Sequence, residues 1–129
     1  MLRITRPLYQ ALKQSTGLTG LAVHQNPLPD LTKTYQNTLS LLASIPHSSV
    51  YRQGVEALTR HKLNIVQNAN GDISMVEQQL NEGQIEQALD IAIDEYKLAT
   101  KMVEWKAWEP LEEKPEPGQW DYFGQTTSS

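Results

Sequence analysis

From Gln84 to about Ala107 the chain carries one uninterrupted helical pattern, and that pattern is apolar on two faces. At about 100° per residue, Ile85, Ala88, Leu89, Ala92, Tyr96, Ala99 and Val103 share one broad face, which predicts the core side of a long helix. Glu86, Asp90, Asp94, Lys97 and Lys101 form a separate stripe, acids toward the N-terminal end and lysines toward the C-terminal end as the helix dipole favours, and this stripe is expected to be solvated. Ile91, Leu98, Met102 and Trp105 make a third strip, displaced by more than a right angle from the core face. In a small bundle only one face of such a helix has an intramolecular partner. The second strip must therefore meet either the chain's own tail or another protein, and a leftover apolar strip marks an interface.

The remaining segments supply the rest of a bundle. Asn26-Pro27-Leu28-Pro29 removes backbone donors and reads as a linker. Asp30 is placed to cap a first helix in which Leu31, Tyr35, Thr38, Leu42 and Ile45 recur at three- and four-residue spacing, ending near Pro46. Ser48 or Ser49 caps a second helix, whose apolar face is Tyr51, Val55, Leu58 and Ile65 with Val66 beside them. The run Asn68 to Asp72 has turn chemistry, a short helix is expected around Ser74 to Leu80, and Gly83 breaks the chain before the long helix. No segment alternates with the period of a strand, so the fold class is all-α.

Three regions result: a basic N-terminal segment and linker (1–29), a helical bundle (30–108) and an extended, acidic, proline-rich tail (109–129). Glu112 to Gly118 cannot form a core of its own. Trp120, Tyr122 and Phe123 beyond it suit pockets on a partner, since Trp and Tyr dominate interface energetics; the alternative is that Trp120 folds back onto the bundle.

Charge excludes one class of partner. Residues 1–29 carry Arg3, Arg6 and Lys13 and no acid, whereas residues 30–129 carry 8 basic and 15 acidic side chains, a net of −7. Such a body cannot release counterions from a phosphate backbone, so nucleic acid is not expected as a partner. The opening MLRITRPLYQALKQ has the composition of a mitochondrial matrix-targeting segment, although a basic terminus without that role would read the same way. No apolar run approaches the ~20 residues of a membrane-spanning helix.

The 129 residues include no cysteine, which rules out disulfides, thiolate metal sites and cysteine nucleophiles. His24, His47 and His61 are too far apart to pair on one helical face, and no phosphate-binding glycine loop or nucleophile elbow occurs. Glu86, Asp90 and Asp94, with Glu95 adjacent, could sketch a metal or acid/base site, but a dimetal bundle also needs inward Glu-x-x-His sets, which are missing. No catalytic residue, metal or cofactor is expected.

Several stretches together resemble one family. They are Thr16-Gly17-Leu18-Thr19-Gly20-Leu21-Ala22-Val23, Tyr51-Arg52, Gln79-Leu80-Asn81-Glu82-Gly83-Gln84-Ile85-Glu86, and Lys101-Met102-Val103-Glu104-Trp105-Lys106-Ala107-Trp108-Glu109-Pro110-Leu111, closed by Gln119-Trp120. In this order they are similar to the alpha-subcomplex subunit 5 family of NADH:ubiquinone oxidoreductase, accessory subunits of mitochondrial complex I. The resemblance implies a three-helix-type bundle with no redox activity of its own. It also implies a place on the matrix side of the inner membrane, on the peripheral arm beside hydrophilic core subunits of the quinone-reducing module. A transient adaptor or assembly factor for the same complex is the alternative. The family's tryptophan-rich motif falls on Trp105, Trp108 and Trp120, so the partner-binding set is Ile91, Leu98, Met102, Trp105, Trp108 and Trp120.

Overall fold

Local signals set the helix boundaries. The computed structural model, which describes residues 13–119, contains α1 (Pro27–Leu42), α2 (Val50–Asn68), α3 (Ile73–Leu80) and α4 (Ile85–Trp105), with no strand among the described residues. α1 begins at Pro27, not after Asp30. First-turn amides have no acceptor within a helix, so Pro27 and Pro29 forfeit nothing there and their fixed φ favours initiation. Asp30 sits in that first turn rather than capping it, and its carboxylate lies 2.8 Å from His24 Nε2.

Ser49 caps α2 by accepting from the Arg52 amide, and Asp72 caps α3 by accepting from Met75 at 3.3 Å. The turn between them places Asn70 (φ 52°) and Gly71 (φ 86°) in the left-handed region. α4 opens with the Gln84 amide donating to Gln87 Oε1 at 2.9 Å, which retains one of the orphan first-turn donors. Gly83 precedes it at φ 85°, and a Cβ there would fall 2.2 Å from that same Oε1. Gly83→Ala therefore combines backbone strain with a displaced capping side chain. It is expected to cost about 1–2 kcal/mol, read as a lower urea midpoint; an unchanged midpoint would show that the cap reforms.

α1 is the central element. It packs against both α2 and α4, which scarcely meet each other, and α3 links the far ends of those two. At the α3 end, Leu31, Tyr35, Val66, Val76, Ile85 and Leu89 form the larger core cluster. At the other end Leu42, Ile45 and Ala99 are buried, with Tyr51, Val55 and Val103 packed around them. All five positions expected to face the core are buried, although α1 ends at Leu42, short of the expected Pro46, and Ile45 follows in the turn beyond it.

The stretch from Lys13 to Asn26 is a strap, not a loose leader. Thr16 is buried, its hydroxyl donates to the Leu21 carbonyl at 2.6 Å, and its own carbonyl accepts from Gln84 Nε2 at 2.6 Å. Lys13 Nζ reaches Gln84 Oε1 at 2.9 Å and Glu86 Oε2 at 2.5 Å, while the His24 amide donates to Glu86 Oε1 at 3.4 Å. Glu86, expected in the solvated stripe, is thus only 4% exposed. The wheel placed it away from the core of the bundle, as it is, but could not see that the strap covers that side.

Candidate partner-binding face

The second strip of α4 survives folding largely uncovered. Ile91, Leu98 and Trp105 are 45%, 42% and 62% exposed. Met102 is half-buried on the Leu42–Ile45–Ala99 cluster, because the end of α1 reaches that far along α4. Trp108 packs on the same cluster: Lys106 adopts φ 53° and ends the helix, and the following turn lays the indole back on the bundle. Trp120 lies outside the described residues, as does the basic segment before Lys13 apart from Lys13 itself. The five described members therefore divide into three side chains that project from α4 and two that already have intramolecular neighbours.

Two expected core residues are at the surface. Tyr96 is 37% exposed, since α1 covers the alanines of α4 and leaves the phenol at the margin. Leu58 is 53% exposed, because α2 and α4 both pack on α1 but scarcely meet each other. Leu58 and Ile91 line opposite sides of a small cavity of about 60 Å³ above Tyr35 and Thr38. Periodicity puts Leu58 on the core face of α2, and the structure departs from this: the neighbouring Thr59, 5% exposed, takes the buried position.

Polar contacts brace this region. The Tyr51 hydroxyl donates to Glu95 Oε1 at 2.9 Å, joining α2 to α4, and Lys62 pairs with Glu82 at the other end of α2. Burial, the hydrogen bond to Glu95 and that carboxylate's charge together push the Tyr51 phenol well above the usual tyrosine range. Burial and the charge of Glu82 do the same to Tyr35. A raised phenol pKa makes folding favour the protonated form, so this contribution is complete below the ordinary value of 10.0 and is lost as pH rises above it. Alkaline unfolding is expected to begin above that pH. Tyr51→Phe should cost about 0.5–1.5 kcal/mol at neutral pH and blunt the alkaline loss; a variant with an unaltered pH profile would exclude Tyr51 as a source.

The arrangement offers little to chemistry. Glu86 is under the strap while Asp90 and Asp94 are exposed, so the aligned carboxylates do not converge, and no group of three or more His, Cys, Asp or Glu comes together among the described residues. A concavity of about 630 Å³ between the start of α1 and the end of α2 has Lys33 as its single ionisable side chain. In the next, Lys13 and Glu86 are engaged with each other. Among the described residues the molecule is a small helical bundle with an exposed apolar strip on its longest helix.

Comparison with known proteins gives that class a family. The conserved region of ETC complex I subunits matches residues 20–87. NADH dehydrogenase (ubiquinone) 1 alpha subcomplex subunit 5 of Bos taurus is 42% identical over 111 residues, 86% of this chain and 95% of the relative. The alpha subcomplex subunit MCI4 of Candida albicans is 44% identical over 85% of this chain and 79% of its own length. A probable mitochondrial subunit 5 of Arabidopsis thaliana is 39% identical over 81% and 62%. The chain belongs to the alpha subcomplex subunit 5 family, the accessory subunits of respiratory complex I. Two stretches that carried the resemblance, Thr16 to Val23 and Gln79 to Glu86, prove to be partners: the second supplies Gln84 and Glu86, which hold the strap containing the first.

Proposed function

We propose that the protein is a permanent, non-catalytic subunit of complex I, held on the matrix-facing peripheral arm beside hydrophilic core subunits of the quinone-reducing module. Its task there is structural. Binding that favours the assembled state stabilises the arm by mass action. The observation that carries the reading is the exposed strip of α4 ending in Trp105, a residue type that contributes strongly once a partner desolvates it. Ile91 and Leu98 extend that strip, Met102 and Trp108 form its inner edge, and Trp120 anchors the tail. No helix among the described residues is long and apolar enough to cross a membrane, which fits attachment through other subunits.

The test is a C-terminally tagged chain in cells lacking the native subunit, followed by native electrophoresis with an NADH dehydrogenase activity stain. Comigration at constant stoichiometry is expected, and retention of a Trp105→Ala, Trp120→Ala double variant should fall about ten-fold. Normal assembly and retention of that variant would remove the anchor assignment. Migration only with partial assemblies would make the protein a transient adaptor or assembly factor.

A further inference from the structure

The strap crosses the head of α4 without entering the core. Neither buried cluster takes a member from residues 13–26, and Thr16 is the one buried residue among them, while Leu18 stays exposed. Its hold on α4 is polar and runs through two side chains. Gln84 donates from Nε2 to the Thr16 carbonyl and accepts from Lys13, and Glu86 takes Lys13 on one carboxylate oxygen and the His24 amide on the other. The other end of the strap is pinned to α1 instead. His24 Nδ1 accepts from the Asn26 amide at 3.0 Å, so the ring proton lies on Nε2, which donates to Asp30.

We infer that residues 13–26 form a latch that opens as a unit while α1 to α4 stay folded, with the Lys13–Glu86 ion pair as its catch and the turn from His24 to Asn26 as its hinge. Opening leaves the first amides of α4 with their acceptors. The Gln84 amide is held by Gln87 Oε1 and the Ile85 amide by Glu77 Oε1, both at 2.9 Å and neither through the strap. The groups uncovered are the side chains of Gln84 and Glu86, which exchange their strap partners for water. Apolar burial sets how strongly a cooperative unit is held, and here both apolar clusters belong to the helices and the turns that join them, so the strap can leave without opening either. Lys13 is the one cation paired with Glu86 among the described residues, which makes that contact the catch.

Since the chain has no cysteine, Thr16→Cys and Val76→Cys each give a single thiol, one buried by the strap and one in the helical core. In the full-length protein the Thr16→Cys thiol is expected to react with a maleimide at least about a hundred-fold faster than that of Val76→Cys, at a rate nearly flat in low urea. Labelling of Val76→Cys should instead climb steeply with urea, because its exposure requires the bundle to unfold. Adding Lys13→Met should speed labelling of Thr16→Cys about ten-fold, which also shows that the strap is closed in the single variant. In the unsubstituted chain, hydrogen exchange of the His24 amide, the donor to Glu86, should be equally insensitive to low urea. Labelling of Thr16→Cys and exchange of the His24 amide that rise with urea in parallel with Val76→Cys overturn the latch, since the strap then opens only with the bundle. A Thr16→Cys rate unchanged by Lys13→Met overturns the catch.

Discussion

Leu31→Ala is expected to lower the stability of the isolated chain by about 3 kcal/mol, within the range measured for large-to-small changes at closed sites. Leu31 is fully buried where α1 meets α2, α3 and α4, in the same cluster as Val66, Val76 and Ile85. Its removal leaves a void shared by several helices, so no single helix can move to fill it. A fall of about 1 kcal/mol or less in urea unfolding would mean that the short α3 collapses inward, and would argue that this end of the bundle is loosely held.

Lys13→Met is expected to cost about 1–2 kcal/mol at neutral pH, and its pH dependence is the more telling result. Removing the ammonium leaves Glu86 buried without its cation. A fully buried pair would lose roughly 3–5 kcal/mol, but the Lys13 side chain is 34% exposed and solvent screens part of the interaction. In the parent protein burial pushes the Glu86 carboxyl up, while the Lys13 hydrogen bond, amides of Glu86 and His24 and the lysine charge outweigh it and hold the group below the ordinary 4.5. A depressed carboxylate contributes stability above its ordinary pKa and loses that contribution as pH falls below 4.5 toward the folded value. In the variant this acid dependence should flatten. Equal unfolding midpoints of the two proteins at pH 7, with parallel losses below pH 4.5, would show that the strap does not depend on the ion pair.

That strap separates what could be read along the chain from what could not. The helices are legible because each depends on neighbours in sequence: the spacing of Leu31, Tyr35, Thr38 and Leu42, the cap at Ser49, and the turn chemistry of Asn68 to Asp72. The start of α1 was misplaced by reading prolines as breakers in the one turn where they are not. Glu86 was misread because its partner is 73 positions away, and a wheel describes one helix in isolation. The exposed strip of α4, Ile91, Leu98 and Trp105, is visible in the sequence as apolar residues left over once a core face is assigned.

Local backbone preference and helical periodicity suffice for the all-helical class, the turns, the core side of α1 and the surplus of apolar surface on α4. Which part of that surplus is buried within the chain depends on how the helices pack against one another. Met102 and Trp108 close on Leu42 and Ile45, and Glu86 is buried with Lys13, whereas Leu58 and Ile91 stay exposed beside a small cavity. Burial belongs to pairs of elements, and α2 and α4 both pack on α1 while scarcely meeting each other.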